Sequence, residues 1–186
     1  MKTKRDTQPI FSFYKRPVTN VIPYKNITLA DAYRVISGKY LKGKTLKLRS
    51  ISDKHRNRKF KSANFPYCTF SGVFTKRNES SLIRHSGLIA IDFDHLENVR
   101  AVKDKLLKDP CLRTELLFVS PNGEGLKWII NIDIENYSHS DYSQSVYNYR
   151  KETYCIEIEK SCRDVARASF LCYDPDAFIN PKHLVE

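Results

Sequence analysis

Apolar positions in the second half of the chain recur with the two spacings that distinguish strands from helices. Short apolar or alternating runs predict strands in "GLIAIDFD", "RTELLFVS", "GLKWIINID", "CIEIE" and "RASFLCYD". Apolar residues three and four apart predict helices in "LENVRAVKDKLLKDP", which ends near Pro110, and in "SHSDYSQSVYNYRKETY". Strands and helices therefore alternate through this half, which predicts an α+β domain.

The first six of these elements, up to "CIEIE", have the order strand, helix, strand, strand, helix, strand. This is the split βαβ arrangement of ferredoxin-like and RNA-recognition-like domains (βαββαβ). In such a domain both helices pack on one face of the sheet, and the other face stays open. The first strand is then central, between the third strand and the last.

Strand alternation divides the side chains of the first strand between the two faces, because successive residues point in opposite directions. Ile89, Ile91 and Phe93 are predicted to face the helices. Asp92 and Asp94 then lie side by side on the open face. The alternative is that the strand ends in a polar turn and that both aspartates are solvated.

Further polar residues are predicted on the open face. In "GLKWIINID" Lys127 lies opposite the apolar set, and in "CIEIE" so do Glu157 and Glu159. Neighbouring carboxylates resist joint ionisation unless a cation lies between them, and Mg²⁺ or Mn²⁺ suits hard oxygen ligands. Asp92, Asp94 and one of the glutamates are therefore candidate metal ligands.

The segment "SPNGEGLKW" combines a turn with polar groups. Gly123 and Gly125 permit close backbone approach, and Ser120 and Lys127 are suited to bind phosphate oxygens. An ordinary hairpin turn is the alternative, since "NG" is a turn signal by itself. Arg167, at the start of the last predicted strand, is a further candidate for phosphate binding, with an ion pair to a nearby acid as the alternative.

The first 80 residues are predicted to form an extension of the core, which spans residues 81–186. A strand is predicted in "QPIFSFYKR", and a helix in "TLADAYRVISG" with Thr28 as its N-cap and Gly38 at its end. The segment "NFPYCTFSGVFT" predicts a strand or hairpin leading into the core.

This extension contains a strongly basic segment. Residues 39–61 include ten Lys or Arg residues, so few acids are present for the ion pairs that a surface helix normally forms. We interpret the segment as a phosphate-contacting surface, with a solvated helix and loop as the alternative. The candidate nucleic-acid-binding residues are Lys47, Arg49, Lys54, Arg56, Arg58, Lys59 and Lys61.

Composition supports a polyanionic partner. The formal net charge is +11 and the pI about 9.4, which favours nucleic acid first and a membrane surface second. No apolar run approaches the roughly 20 residues of a membrane span, and the N-terminus lacks a signal-peptide pattern. The five cysteines form no CxxC pair, which predicts reduced thiols and a cytoplasmic protein.

Three of these stretches together carry a resemblance to a known family. "SGLIAIDFDHL", "FVSPNGEGLKWII" and "IEIEKSCRDVARASFLCYDPDAFIN", in this order and spacing, resemble the VirE N-terminal (primase-like) domain family of bacterial mobile elements. That family is related to the archaeo-eukaryotic primase superfamily. The likeness covers about residues 10–180.

The resemblance implies a template-directed primase or primase-polymerase with an RNA-recognition-like catalytic core. Asp92, Asp94 and Glu159 would be the catalytic metal ligands for Mg²⁺ or Mn²⁺, with Glu157 and then Asp164 as alternatives to Glu159. Two positions depart from the superfamily pattern: Lys127 occupies the approximate place of a histidine, and Glu159 that of an aspartate.

The remaining implied sites concern substrates. Ser120, Gly123, Gly125, Lys127 and Arg167 would bind the nucleoside triphosphate. The basic segment would hold single-stranded DNA template, with stacking on Tyr67, Phe70 or Phe74.

Three other functions compete with the primase hypothesis. The chain would otherwise be an inactive module that binds single-stranded DNA or a nucleotide and positions a replicative helicase, or a metal-dependent nuclease. An RNA-recognition-type RNA binder is disfavoured, because such a sheet normally exposes aromatic residues.

Overall fold

The computed structural model describes residues 8–154 and 164–185. Their helices and strands, in chain order, are β1 (Ile10–Tyr14), β2 (Lys25–Thr28), α1 (Leu29–Ser37), α2 (Lys42–Arg49), α3 (Lys54–Asn64), β3 (Tyr67–Thr69), β4 (Gly72–Phe74), β5 (Leu82–His85), β6 (Leu88–Phe93), α4 (Val99–Leu107), β7 (Thr114–Val119), β8 (Leu126–Asn131), α5 (His139–Tyr154), β9 (Ser169–Phe170) and β10 (Phe178–Ile179). The predicted α+β class is confirmed.

The strands of the second half form a sheet in the order β10-β7-β8-β6. Since β6 and β7 both run antiparallel to β8, they are parallel to each other, with α4 between them in sequence and β8 between them in space. For β6, α4, β7 and β8 this is the predicted split βαβ arrangement, and β6 is the edge strand of the described sheet. The predicted strand "CIEIE" lies outside the described residues.

A second sheet joins the two ends of the chain in the order β2-β1-β3-β9. The segment "RASFLCYD" contributes only the two residues of β9, which pair with β3. The predicted final strand is therefore confirmed only for these two residues, and they belong to the second sheet. The segment "NFPYCTFSGVFT" forms β3 and β4, and β4 pairs with β5 in a separate two-stranded sheet.

Local sequence explains the first helix. Thr28 caps α1 by accepting a hydrogen bond from the backbone N–H of Asp31, and the Asp31 carboxylate accepts one from the backbone of Thr28. This reciprocal pair satisfies two N–H groups that the helix itself leaves unpaired. Gly38 ends the helix, so both predicted boundaries are confirmed.

The central sheet is covered on both faces. Ile89, Ile91 and Phe93 pack with Leu106 of α4 and Val146 of α5, as predicted. The opposite face was expected to be open, and this expectation is wrong.

Residues of the first 80 cover that second face. Leu88 and Ala90 of β6 are buried in one cluster with Phe11, Ile36 and Leu48. Burying these apolar side chains is favourable, so the extension packs directly on the sheet. The end of the sheet that carries Asp92 borders a groove, which Asp94 also lines.

A buried ionic cluster anchors the C-terminal segment. The carboxylate of Glu115, which is 1% exposed, accepts hydrogen bonds from Lys182 Nζ at 2.7 Å and lies 2.6 Å from His183 Nε2. Burial raises the pKa of Glu115, but these two partners outweigh it and lower that pKa below its ordinary value.

Among the described cysteines, Cys68 and Cys172 are buried and Cys111 is exposed; all three are free thiols. No helix in residues 8–154 or 164–185 is long and apolar enough to cross a membrane.

Candidate functional site

Four segments distant in sequence meet at one groove, here called the basic groove. It lies between the end of β6, the turn at residues 120–125, residues 49–61 (the end of α2 and most of α3) and residues 167–170, and its volume is about 840 Å³. Its described lining includes six cations and three acids: Arg49, Lys54, Arg58, Lys61, Lys127, Arg167, Asp92, Asp94 and Glu124. The excess of positive charge suits an anionic ligand.

Asp92 lies at the base of the groove between two cations. One carboxylate oxygen accepts a hydrogen bond from Lys127 Nζ at 2.7 Å, and the other accepts one from Arg167 Nη2 at 2.7 Å. Asp92 and Lys127 are 8% and 7% exposed. Burial alone would raise the pKa of Asp92. The two cations lower it by more, so the pKa of Asp92 lies below its ordinary value.

The strand register explains this cluster. Asp92 and Lys127 are direct cross-strand partners in β6 and β8, so their side chains leave the same face at neighbouring positions. Strand alternation predicts both residues on one face, and this prediction is confirmed. Arg167 reaches the same carboxylate from the segment that precedes β9.

Asp94 and His95 follow the end of β6 and have different surroundings. Asp94 is exposed and lines the groove. His95 has a positive φ of 54°, a left-handed conformation that few non-glycine residues adopt, and its Nδ1 lies 3.5 Å from Glu124 Oε2. The sequence had not indicated His95 as a groove residue.

The glycine turn is shaped by close packing. Gly123 has a φ of 87°, and a methyl group at Gly125 would overlap the carbonyl oxygen of Phe93. Both glycines are therefore required by the backbone. Ser120 is buried at the groove wall, where its backbone N–H bonds the carbonyl of Gly125.

Arg49, the last residue of α2, holds this turn by hydrogen bonds. Its guanidinium donates to the carbonyls of Pro121 and Ser120 at 3.2 and 3.3 Å. The sequence predicted Arg49 as a nucleic-acid contact. The structure gives it a positioning role as well, which sequence reasoning missed because the partners lie more than 70 residues apart.

Helix α3 presents only one face to the groove. Lys54, Arg58 and Lys61 line it, at the spacing of one helical face. Lys59 and Arg56 are exposed and do not line it, and neither does Lys47 of α2. Of the seven cations predicted to bind nucleic acid, four therefore line the groove and three do not. The four are Arg49, Lys54, Arg58 and Lys61.

The crowding of cations in the groove affects Lys61. Burial and the Lys127 ammonium lower its pKa, against the opposing effect of Asp94 and Asp92. A bound anion would relieve this repulsion.

The predicted metal ligands are brought together only in part. Asp92 and Asp94 border the same groove, whereas Glu157 and Glu159 lie outside the described residues. Asp164 does not line the groove, and its carboxylate accepts a hydrogen bond from the backbone of Ala166. Within the described ranges no three acidic, histidine or cysteine side chains form a group able to hold a metal.

The aromatic residues expected to stack on template are in the core. Tyr67, Phe70 and Phe74 are 0–3% exposed, so that prediction is wrong. Phe170 lines the groove instead. It was in a predicted strand, but the sequence alone did not indicate that this strand borders the cations.

The fold and the groove define an α+β protein with a cationic cleft built around a buried aspartate. A family model, the BT4734-like N-terminal domain, matches residues 59–178, and the chain belongs to this family. The matched segment begins within α3 and contains Asp92, Lys127 and Arg167. No curated protein and no solved structure matches the chain.

Proposed function

We propose that this protein is a primase-polymerase-like nucleotidyltransferase of a mobile element, acting on single-stranded DNA template and nucleoside triphosphates. One observation carries the proposal: the Asp92–Asp94 pair, Lys127, Arg167 and the α3 cations, which come from separate segments, line a single groove. The resemblance to the VirE N-terminal (primase-like) family supports it. An RNA-recognition-like core is part of the proposal, supported by the order β6, α4, β7, β8, α5.

The triphosphate is proposed to bind at the base of the groove. Lys127 and Arg167 are the cations nearest to Asp92, and both are suited to phosphate oxygens. A triphosphate competes with Asp92 for these cations, so nucleotide binding releases the carboxylate oxygens of Asp92.

The donor chemistry of the site fits Mg²⁺ or Mn²⁺. Asp92 and Asp94 supply carboxylate oxygens beside the proposed phosphate site, and Mg²⁺ is commonly held by one or two carboxylates plus substrate phosphates. Glu159 is the proposed third ligand. A bound ion would activate the attacking 3′-hydroxyl and stabilise the leaving pyrophosphate.

The template is proposed to run along α3. Lys54, Arg58 and Lys61 form a row that follows one helical face, as expected for contacts with successive phosphates of a strand. Template and triphosphate would then meet near Lys61, which is close enough to Asp92 and Asp94 for their charges to affect its pKa.

A second candidate function is a non-catalytic module that binds DNA or a nucleotide and positions a replicative helicase. It is favoured by the state of Asp92, since both of its oxygens are engaged by cations. In that case Asp92 orders Lys127 and Arg167 for anion binding and ligates no metal.

Incorporation of labelled nucleotides on primed single-stranded DNA separates these functions. The assay compares Mg²⁺, Mn²⁺ and chelator, with Asp94→Asn as the test variant and Asp104→Asn, an exposed acid on α4, as its control. The transferase predicts metal-dependent strand growth that Asp94→Asn abolishes and Asp104→Asn retains. Oligonucleotide binding without product supports the module, and strand shortening indicates a nuclease.

A further inference from the structure

One aromatic ring stands among the cations of the basic groove. Among its described lining residues Phe170 is the only Phe, Tyr or Trp, and it is half-buried. It follows Arg167 by three residues, and Lys61 Nζ lies 5.9 Å from the centre of its ring. The ring therefore lies beside a cation of α3, in the groove that is also lined by Arg167, a cation that binds Asp92.

Packing holds this ring in place. Phe170 and Tyr67 are cross-strand partners in β9 and β3, and their rings meet edge to face at 6.0 Å. Tyr67 in turn stacks on Tyr14 at 4.5 Å and donates a hydrogen bond to the carbonyl of Asn20. A ring that is already ordered loses little conformational entropy when a ligand stacks on it.

This arrangement narrows the class of ligand. Cations alone would accept any polyanion, such as inorganic polyphosphate. Sites for single-stranded nucleic acid combine cations for the backbone with an aromatic ring for the base. The basic groove has both, with the ring directly beside the cations.

We infer that Phe170 is the platform on which an unpaired nucleobase stacks when its phosphates occupy the basic groove. The inference rests on the proposed nucleotide-binding function but not on catalysis. The base belongs either to single-stranded template or to a nucleoside triphosphate, and two binding experiments distinguish these sources.

The first experiment measures fluorescence anisotropy with a labelled oligo-dT and an abasic oligonucleotide of the same length. The second measures the affinity for nucleoside triphosphates and for inorganic tripolyphosphate by titration calorimetry. Phe170→Leu removes the π face and keeps an apolar side chain, and Phe170→Trp keeps the π face.

We expect Phe170→Leu to weaken binding of the base-containing ligand by about 5- to 150-fold, with the abasic or inorganic ligand changed less than twofold. Phe170→Trp should bind like the wild type. A loss of affinity for oligo-dT shows that the stacked base belongs to the template. A loss of affinity for the nucleoside triphosphate shows that it belongs to the incoming nucleotide. Equal affinities of wild type and Phe170→Leu in both experiments, or an equal loss for the abasic and inorganic ligands, would overturn the inference.

A second readout covers the case in which Phe170→Leu does not fold. Trp128 is the only tryptophan of the chain and is fully buried, so added fluorescence in Phe170→Trp reports on position 170. A stacked base should quench it, whereas abasic DNA and tripolyphosphate should not. Quenching in a protein that makes no product supports the inference while contradicting the transferase, and absence of quenching by every base-containing ligand contradicts the inference.

Discussion

Replacing Asp92 by asparagine isolates the charge at the base of the groove. Asparagine has nearly the same shape, so packing is preserved while the negative charge is lost. Lys127 and Arg167, each 2.7 Å from one carboxylate oxygen, are then left beside each other without their shared anion. Lys127 is 7% exposed, so solvent compensates it poorly.

Breaking a buried ion pair by removing one partner costs about 3–5 kcal/mol. We therefore expect Asp92→Asn to lower the free energy of unfolding by about that amount at pH 7, measured by urea denaturation. For a domain of this size the corresponding decrease in Tm is about 6–20 °C. Asp104→Asn, at an exposed site, should stay within about 0.5 kcal/mol of the wild type.

The pH dependence follows from the lowered pKa of Asp92. A group whose pKa is lower in the folded state stabilises that state above its unfolded pKa, about 3.9 for aspartate. The advantage of the wild type over Asp92→Asn should therefore be complete at neutral pH and decline as the pH falls below about 4. Equal stability of the two proteins at pH 7 would show that the Asp92 charge does not stabilise the fold.

Three further predictions use matched substitutions. Arg58→Gln should weaken oligonucleotide binding and reduce the slope of log K against log salt by about 0.7. Arg56→Gln, on another face of the same helix, should change neither. Equal slopes for the two variants in anisotropy titrations would contradict DNA binding in the basic groove. Gly125→Ala should destabilise by about 1–3 kcal/mol because its methyl group meets a backbone carbonyl, whereas Gly43→Ala, with open space around it, should stabilise by about 0.5–1 kcal/mol; thermal unfolding of both variants checks the pair. Glu115→Gln should lower the free energy of unfolding by about 1.5–3 kcal/mol at pH 7, measured with urea. Because the pKa of Glu115 is lowered in the folded state, this difference should shrink as the pH falls below the ordinary pKa of glutamate. A difference independent of pH would contradict stabilisation by the charge of Glu115.

Local rules predicted the residues whose neighbours are close in sequence or directly opposite in a sheet. The capping box of α1 follows from the identities of Thr28 and Asp31. The shared face of Asp92 and Lys127 follows from strand alternation together with the apolar sets of β6 and β8, which face the same helices.

Long-range packing was not predictable in the same way. The sequence contained one signal against an open sheet face, since Leu88 and Ala90 are apolar on the same side as Asp92, and strands buried on both faces read as continuous apolar runs. Which elements cover that face depends on the tertiary fold. The tertiary fold also determines the contact of Arg49 with the distant turn and the position of Phe170 beside α3.

A crystal structure of the chain with primed single-stranded DNA, a non-hydrolysable nucleoside triphosphate and Mn²⁺ would test whether the basic groove is a nucleotidyltransferase site. The anomalous signal of manganese would locate the ion. We expect triphosphate oxygens within hydrogen-bonding distance of Lys127 and Arg167, and an anomalous peak at the carboxylates of Asp92 and Asp94. A nucleotide bound outside the basic groove, or a nucleotide in the groove with both cations still on Asp92 and no manganese at the two aspartates, would contradict this expectation.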